Sequence, residues 1–391
     1  MSLSNLTERI DLLGVDALLN EEERAIQGTV RRFLNERISP QIAEWYEQGH
    51  LPLEIASELG ALGLLGMHLE GYGCAGAGAV SYGVACLELE AVDSGLRSFV
   101  SVQGSLAMNA IFSFGSDEQK ERWLPPMAKG QAIGCFALTE SAGGSDPANM
   151  TTWARRDGED WVINGSKLWI TNGSTATVAV VWAQTDVGIR GFLVPRDTLG
   201  FQAIDIPRKL SLRASVTSEL VFSDCRVPGD ALLPGSTGLR SPLSCLSEAR
   251  YGILWGVVGA ARTCLLAALD YSLTREIFDK PVAAFQLTQK KLADMAVELG
   301  KAHLVALHLG RRKELGQLQP AQVSFGKLNN VREALAIARD ARTILGANGI
   351  TLDFAVMRHM QNLESVLTYE GTSEIHTLVL GQALTGIPAY R

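Results

Sequence analysis

The sequence predicts a mainly helical α+β protein in which a β domain lies between two helical domains. The apolar residues follow a helical period in the first part of the chain. After residue 131 the pattern changes to short β-rich runs separated by turn dipeptides, and beyond residue 238 it is helical again. We therefore expect domains at 1–131, 132–238 and 239–391.

The first domain is predicted to consist of helices. Residues 21–36 are amphipathic, residues 80–92 are apolar with acids on one face, and residues 117–128 follow a Gly-Ser break. Residues 71–76 match the G-x-G-x-x-G dinucleotide fingerprint, with Asp93 at the expected distance beyond it. Because helix rather than strand is predicted on both sides, we interpret this match as coincidental and expect no Rossmann site.

Turn signals divide the second domain into short strands. Asp157-Gly158 and Asn164-Gly165 enclose residues 161–163, which predicts two consecutive hairpins in an antiparallel sheet. Further strands are predicted at residues 178–183, 191–194 and 219–222. The Pro- and Gly-rich stretch 227–238 has the composition of a linker that ends the domain.

The third domain is predicted to be a helical bundle. One face of a long helix is marked by Leu292, Met295, Leu299, Ala302, Ala306 and Leu309. Pro320 suits the first position of the next helix, and Gly346 suits its C-terminal stop. Long helices of this apolar composition are expected to pack side by side.

Composition and motifs disfavour several classes of function. The formal net charge of −7 disfavours binding to nucleic acid or to an anionic membrane, and we expect no segment apolar for long enough to span a bilayer. The scattered cysteines form no CxxC pair, and no HExxH motif, nucleophile elbow or Walker A loop occurs. Residues 1–23 carry no secretion or import pattern, so we expect a cytoplasmic protein without a metal site.

The most informative segment is residues 368–376. A single carboxylate, Glu370, precedes a predicted helix that Thr372 can cap, with Glu374 in its first turn. The helix dipole favours the ionised carboxylate, whereas burial would raise its pKa, and this opposition is a way to tune a general base. An ordinary helix cap explains the same residues, so both interpretations stay open at this point.

Two other segments have the composition of a ligand site. Residues 136–147 leave a predicted strand and enter a loop rich in glycine and hydroxyl groups, whose backbone N–H groups could hold a phosphate or a flat heterocycle. Trp169 lies at the end of a strand, where it is either part of the core or a stacking surface. A simple turn is the alternative interpretation of the glycine-rich loop.

Together, these segments and the order of the three domains resemble the acyl-CoA dehydrogenase family over essentially the whole chain. Within the family the chain is most similar to the glutaryl-CoA dehydrogenase branch. The similarity is carried by residues 90–98, 248–252, 289–295, 361–364 and 369–372. The resemblance implies that the chain binds FAD and an acyl-CoA substrate and assembles as a homotetramer.

The resemblance also implies individual roles. Glu370 matches the catalytic base, and Arg275, Phe278 and Gln286 match an element that reaches the FAD of a neighbouring subunit. The other residues that match FAD-binding positions are Phe136, Ala137, Leu138, Thr139, Gly144, Ser145, Trp169, Ile170, Thr171, Thr343, Ile344, Leu345, Gly346, Ala347 and Thr372. Ala347 departs from the family pattern, in which a second glycine is usual.

Ten residues match substrate-binding positions of the family. They are Glu90, Arg97, Ser98, Ser145, Leu243, Leu246, Glu248, Arg250, Tyr369 and Gly371. Arg97 matches the position that would hold a terminal carboxylate, for which an arginine fork is well suited. An exposed Arg97–Glu90 ion pair is the alternative. Glu248 stands where asparagine is expected and adds a negative charge near the substrate path.

The expected reaction is FAD-dependent α,β-dehydrogenation of a short dicarboxylyl-CoA. The resemblance implies glutaryl-CoA as the substrate, decarboxylation to crotonyl-CoA, an electron-transfer flavoprotein as the acceptor, and a place in lysine and tryptophan degradation. Two alternatives stay open at this stage. One is another short-chain acyl-CoA dehydrogenase or an acyl-CoA oxidase, and the other is a relative that binds acyl-CoA without flavin.

Overall fold

The computed structural model describes residues 3–389, and over this range a β domain lies between two helical regions, as predicted. The N-terminal helices are α1 (Leu3–Ile10), α2 (Glu21–Phe33), α3 (Ile42–Gln48), α4 (Ile55–Ala61), α5 (Ala79–Val92), α6 (Ser94–Ser101), α7 (Asn109–Phe114) and α8 (Asp117–Ala128). A π-helical turn, Leu34–Ile38, extends α2, and a second one, Val102–Met108, joins α6 to α7. The three helices predicted in this region are therefore confirmed.

The dinucleotide fingerprint has no strand before it. Residues 71–76 form a loop between α4 and α5, so the expectation that this match is coincidental is confirmed. Asp93 has a structural role instead of a ligand-binding one, since its side chain caps α6 by accepting a hydrogen bond from the backbone N–H of Gly95. Arg358 and Asn362 from a C-terminal helix donate hydrogen bonds to the same buried carboxylate.

The middle region forms one mixed sheet. Its strands are β1 (Gly134–Ala137), β2 (Trp153–Asp157), β3 (Asp160–Thr171), β4 (Val178–Thr185), β5 (Gly188–Pro195), β6 (Phe201–Asp205) and β7 (Thr217–Val227). Their order is β1-β4-β2-β3-β7-β6, with β5 paired to β4. The expectation of a wholly antiparallel sheet is wrong, because β1 and β2 run parallel to β4. The long connection 138–152 returns the chain to the end of the sheet at which β1 began, so β1, β2 and β4 run in the same direction.

The turn predicted at Asn164-Gly165 is also wrong. The backbone continues through this dipeptide in β3, and the register against β7 shifts between Ile163 and Gly165. Gly165 has a φ of 139°, and a side chain there would meet Thr152 at 2.6 Å. A β-bulge and a tight turn both use the conformational freedom of glycine, so the same dipeptide fits either. Asp157-Gly158, in contrast, forms the predicted turn between β2 and β3.

Long helices form the C-terminal region. They are α9 (Arg240–Thr274), α10 (Gln286–Glu314), α11 (Pro320–Leu345), α12 (Ala355–Val366) and α13 (Ser373–Thr385), with a short hairpin of β8 (Glu276–Ile277) and β9 (Lys280–Pro281) after α9. The predicted apolar face of α10 is buried except for Leu292, which is half-buried. Pro320 begins α11 and Gly346 ends it with a φ of 59°, as predicted.

Helix α9 corrects the expectation about membrane-spanning segments. By length and hydropathy it is a candidate span, but 72% of its most apolar window is buried inside the protein. It packs against α5 and α11, and Tyr251, Trp255 and Val258 belong to the main hydrophobic core. These contacts identify α9 as a core helix, because they remove from solvent the surface that a membrane would otherwise cover.

Candidate active site around Glu370

Glu370 lies in the loop between α12 and α13 and has an unusual backbone conformation. Its φ is 55°, and the next residue, Gly371, has a φ of 99°. A glutamate seldom adopts the left-handed region, and such strain is concentrated at functional sites. Thr372 caps α13 by accepting a hydrogen bond from the backbone N–H of Ile375, and Glu374 lies in the first turn, both as predicted.

Two cations hold the three consecutive carbonyl groups of this turn. The ammonium group of Lys327 on α11 donates to the carbonyl oxygens of Tyr369, at 2.5 Å, and of Gly371, at 2.6 Å. The Nε of Arg250 on α9 donates to the carbonyl oxygen of Glu370 at 2.6 Å. The strained backbone is therefore fixed from two helices of the bundle, which leaves the Glu370 carboxylate outside this backbone network.

The Glu370 carboxylate has the environment of a general base. Its Oε2 atom is buried and has no hydrogen-bond partner among residues 3–389. Burial raises the pKa of Glu370 above its usual value, while the positive charges of Arg97, Lys327 and Arg250 oppose that effect. A raised pKa and an unpartnered oxygen favour proton transfer from a bound molecule.

Arg97 faces this site from α6 and is fully buried. Its Nε atom lies 2.6 Å from Oε2 of Glu90 on α5, and both side chains are 0% exposed, so the alternative of an exposed ion pair is wrong. Nη2 of Arg97 donates to the hydroxyl of Tyr369. Nη1, however, is buried without a partner in the described part of the chain. Because a buried cationic donor is costly when unpaired, this atom is suited to receive an anionic group.

The remaining predicted substrate residues lie near this pair or on the first turns of α9, except Ser145, which lies in the loop after β1. Ser98 is buried next to Arg97 in sequence, while Leu243 is exposed and Leu246 half-buried. Both carboxylate oxygens of Glu248 accept hydrogen bonds from Lys313, at 2.7 and 2.8 Å. The additional negative charge of Glu248 is thus paired with a cation on α10, which the sequence alone did not indicate.

The two predicted flavin segments of the β domain are held together. The backbone N–H of Leu168 donates to the carbonyl of Thr139 at 2.9 Å, and Lys167 donates to the carbonyl of Leu138 at 3.0 Å. Trp169 has a φ of 64° at a register shift in β3, and 58% of its surface is exposed. Trp169 is therefore a candidate stacking surface rather than a core residue.

Glu140 joins these two segments to the residues just before β2. It pairs with Lys167 at 2.9 Å and accepts hydrogen bonds from the backbone N–H groups of Thr151 and Thr152. Burial alone would raise the pKa of Glu140, but these hydrogen bonds lower it to about 2. Sequence reasoning missed both charged residues. The sequence did carry one signal for this pair. Lys167 occupies a position of β3 that faces inward in the alternating pattern, on the same side as Trp161 and Ile163, where a charged residue is unusual.

Comparison with protein families agrees with this arrangement. The family models for the acyl-CoA dehydrogenase N-terminal, middle and C-terminal domains match residues 20–131, 135–225 and 236–385. The chain belongs to the acyl-CoA dehydrogenase family. It is an FAD-dependent acyl-CoA dehydrogenase, and the family and cofactor implied by the resemblance are confirmed.

Individual relatives match nearly the whole chain. The chain is 36% identical over 370 residues to the human mitochondrial short-chain specific acyl-CoA dehydrogenase, covering 93% of this chain and 90% of that protein. A crystal structure of glutaryl-CoA dehydrogenase from Mycobacterium smegmatis matches with 66% identity and a TM-score of 0.96, covering 97% of this chain and 98% of that one. A second structure, described as a glutaryl-CoA dehydrogenase from M. smegmatis in complex with FADH2, matches with 62% identity, the same coverage and the same TM-score.

The residues of this acyl-CoA dehydrogenase fit an FAD molecule. The exposed indole of Trp169 offers a flat surface, and Ser141, Gly144 and Ser145 form an exposed loop that follows Thr139, the residue bonded to Leu168. No atom lies within 4 Å of the position that a side chain on Gly144 would take, so its backbone is open to a ligand. Nearby, Nδ2 of Asn172 is buried without a partner among the described residues. These groups combine stacking with hydrogen bonding, as a flavin ring requires.

A separate and mostly exposed surface is formed by Arg275, Phe278, Gln286 and the loop 343–347, of which Leu345 is buried, while Thr372 caps α13 beside Glu370. Arg275 and Gln286 flank the β8–β9 hairpin, and Phe278 at its tip is 85% exposed. Nδ2 of Asn348 donates to the hydroxyl of Tyr271 on α9 at 3.1 Å, which ties the loop 343–347 to the same end of α9. Within residues 3–389, no side-chain hydrogen bond joins this surface to Trp169.

Proposed function

We propose that this acyl-CoA dehydrogenase acts on a short dicarboxylyl-CoA, with glutaryl-CoA as its substrate. The observation that carries the proposal is the buried guanidinium of Arg97, which has one unpartnered donor close to Tyr369 and to the carboxylate of Glu370. A terminal carboxylate bound at Nη1 would satisfy that donor. A monocarboxylic acyl chain would leave it unpaired, at a cost in free energy.

Glu370 is the general base in this proposal. Its Oε2 atom accepts the proton from the α-carbon of the thioester substrate, and burial of the carboxylate strengthens it as a base. FAD, when bound, accepts the hydride that leaves the β-carbon. Arg97 fixes the far end of the substrate, so that the α-carbon is held at a set distance from Glu370. Tyr369 and Gly371, on either side of the base, line the same site.

Loss of carbon dioxide completes the proposed reaction. After dehydrogenation the terminal carboxylate is separated from the thioester by one carbon and a double bond, so the electron pair left by carbon dioxide can spread to the thioester oxygen. A proton delivered to the γ-carbon then gives crotonyl-CoA. Glu370, which carries the proton taken from the α-carbon, is the group proposed to return it.

The proposed binding residues follow the resemblance. FAD is held from the same chain by Phe136, Ala137, Leu138, Thr139, Gly144, Ser145, Trp169, Ile170, Thr171 and Thr372. The substrate path is lined by Glu90, Ser98, Leu243, Leu246, Glu248 and Arg250. Arg275, Phe278, Gln286 and residues 343–347 contact the FAD of a neighbouring subunit in a homotetramer. We further propose an electron-transfer flavoprotein as acceptor, a cytoplasmic location and a role in lysine and tryptophan degradation.

A second candidate is a short-chain monocarboxylic substrate such as butyryl-CoA. It is supported by the 36% identity to the human short-chain specific enzyme and by Glu90, whose charge already neutralises much of Arg97. The deciding experiment is a panel of acyl-CoA substrates, assayed with an artificial acceptor and with oxygen, with products identified by mass spectrometry. Crotonyl-CoA and carbon dioxide from glutaryl-CoA support the first candidate. Turnover of butyryl-CoA alone would refute it, and efficient transfer to oxygen would indicate an oxidase.

A further inference from the structure

A buried lysine on α11 has no role in the reaction as derived above. Lys327 is 1% exposed, and it occupies a core-facing position four residues after the buried Val323. Burial lowers the pKa of Lys327 to about 7, while the charge of Glu370 acts in the opposite direction. A lysine in such a position is costly, since its ammonium group must be removed from water.

The contacts of Lys327 all lie in the turn that carries Glu370. Its ammonium group bridges the carbonyl oxygens of Tyr369 and Gly371, the two residues that flank Glu370. This bridge closes the turn in which Glu370 and Gly371 both have positive φ. The ammonium group therefore lies beside the backbone of Glu370, and its positive charge acts on the Glu370 carboxylate.

A neutral side chain one helical turn away makes the equivalent structural link elsewhere. Asn330 donates from Nδ2 to the carbonyl oxygens of Leu254, at 2.8 Å, and of Ala302, at 3.0 Å. An amide thus suffices on α11 where two buried carbonyl groups only have to be bridged. A lysine occurs where the two carbonyl groups flank an acidic residue. This difference indicates that the charge of Lys327, and not only its hydrogen bonds, explains why a lysine stands at this position.

We propose that Lys327 is a positioning residue for the catalytic carboxylate, a role that rests on Glu370 being the base. Its ammonium group closes the strained turn and supplies a positive charge that favours the ionised, proton-accepting form of Glu370. The other charged groups facing Glu370 are Arg97 on α6, Arg250 on α9 and, with opposite sign, Glu90 on α5. His376 on α13 lies against Gly371, and burial lowers its pKa to about 3, so it is neutral in the working range.

The test compares the pH dependence of flavin reduction in the FAD-loaded wild type, Lys327→Met and Lys327→Gln. Both variants remove the charge, and Lys327→Gln keeps a donor for the carbonyl groups if Lys327→Met does not fold. Because less positive charge faces Glu370, we expect the midpoint of the rising limb to move up by about one pH unit, with roughly tenfold slower reduction below it. An unchanged midpoint in either folded variant would overturn the proposal.

Asn330→Leu is the matched control, because it also removes two buried hydrogen bonds from a side chain on α11, in this case to the carbonyl groups of Leu254 on α9 and Ala302 on α10. It should lower the melting temperature and leave the midpoint in place. A midpoint that moves equally in Asn330→Leu would mean that loosening of the helix, and not the charge, causes the effect, and this result would also overturn the proposal.

A second measurement does not depend on turnover. The melting temperatures of the wild type, Lys327→Gln, Glu370→Gln and the double variant form a thermodynamic cycle at pH 6, below the lowered pKa of Lys327, where its side chain is charged. We expect Lys327→Gln to lower the melting temperature less in the Glu370→Gln background, where the lysine has already lost the negative charge opposite it. If the effects of the two substitutions on the melting temperature are additive, the coupling between Lys327 and Glu370 is refuted, even if no acyl-CoA reduces the flavin. A failure of every acyl-CoA to reduce the flavin would instead refute the proposed function.

Discussion

At the scale of single residues, replacing Glu370 by glutamine keeps the shape of the side chain and removes its ability to accept a proton. The positive φ of residue 370 and the three carbonyl groups bound by Lys327 and Arg250 do not depend on the side chain. Glu370→Gln should therefore retain FAD and bind acyl-CoA while flavin reduction falls by about 10²–10⁴-fold or more. Anaerobic stopped-flow absorbance measures this loss.

Glu374→Gln is the matched control for that variant, since Glu374 is an exposed carboxylate four residues further on, in the first turn of α13. It should reduce flavin at the wild-type rate. Near-normal reduction in Glu370→Gln would mean that another group is the base. Glu248 would be the first to examine, although Lys313 occupies both of its oxygens.

The substrate assignment is tested at Arg97. Arg97→Met should impair turnover of glutaryl-CoA far more than that of butyryl-CoA, because only the first substrate loses a partner for its terminal carboxylate. Loss of one partner of a buried ion pair costs about 2–5 kcal/mol, which corresponds to a tens- to thousands-fold change in the ratio of the two kcat/KM values. Steady-state kinetics on both substrates measures this ratio.

Arg97→Met also leaves Glu90 buried without its cation. The double variant Glu90→Gln with Arg97→Met removes both charges and controls for that side effect. The ratio of kcat/KM values should change as strongly in the double variant as in the single one. If both substrates are affected equally in the two variants, the enzyme remains an acyl-CoA dehydrogenase but the glutaryl assignment is wrong.

At the scale of structural elements, Lys167 and Glu140 join the end of β1 to the bulge of β3 that carries Trp169. Lys167→Met removes this link, and we expect FAD to bind roughly tenfold or more weakly, because an unsatisfied buried polar group costs about 1–3 kcal/mol. The FAD-to-protein ratio after gel filtration and the dissociation constant from flavin fluorescence provide the measurement.

Lys209 offers a control in the same domain. It is another largely buried lysine, it donates to the carbonyl groups of Leu212 and Ser215, and burial lowers its pKa to about 8, as for Lys167. Lys209→Met should lower the melting temperature without releasing FAD. Equal loss of FAD from both variants would show that the cofactor responds to general loosening of the domain rather than to the link between β1 and β3.

Local signals in the sequence predict most of these elements, while contacts between distant residues do not follow from them. The bounds of α8 and the positions of Pro320 and Gly346 were predictable, because caps and proline act within one turn. The Asn164-Gly165 bulge was not, because the same glycine conformation serves a turn and a bulge. The length and hydropathy of α9 do not separate a core helix from a membrane span. Only its packing against α5 and α11 does.

The candidate site shows the same limit. Glu370 and the capping of α13 by Thr372 were predictable from adjacent residues. The resemblance supplied the roles of Arg97 and Trp169. Lys327 was missed because the residues it binds lie 42 and 44 positions further along the chain. A charged residue at a core-facing position of α11 was the sign in the sequence, and this sign does not reveal the partner.

At the scale of the whole molecule, the β8–β9 hairpin and the loop 343–347 form an exposed surface at the C-terminal end of α9. Phe278 at the hairpin tip is an exposed aromatic residue with positive φ, next to the exposed Arg275. We predict that this surface covers the FAD of a neighbour, and that the enzyme is a homotetramer arranged as a dimer of dimers, as the resemblance implies. Light scattering should then give four times the 42.1 kDa chain mass.

FAD retention should depend on this assembly. A site completed by two subunits is lost when the subunits separate. On dilution, FAD occupancy should therefore fall at the protein concentration at which the mass of the assembly also falls. Arg275→Ala should weaken FAD binding while the FAD-binding residues on its own chain, including Trp169 and Ser145, stay intact. Arg226→Ala, which removes an exposed arginine paired with Asp157 on the β domain, should have no such effect. A fully active, FAD-loaded monomer would contradict the arrangement, since Arg275 and Phe278 would then face solvent during turnover.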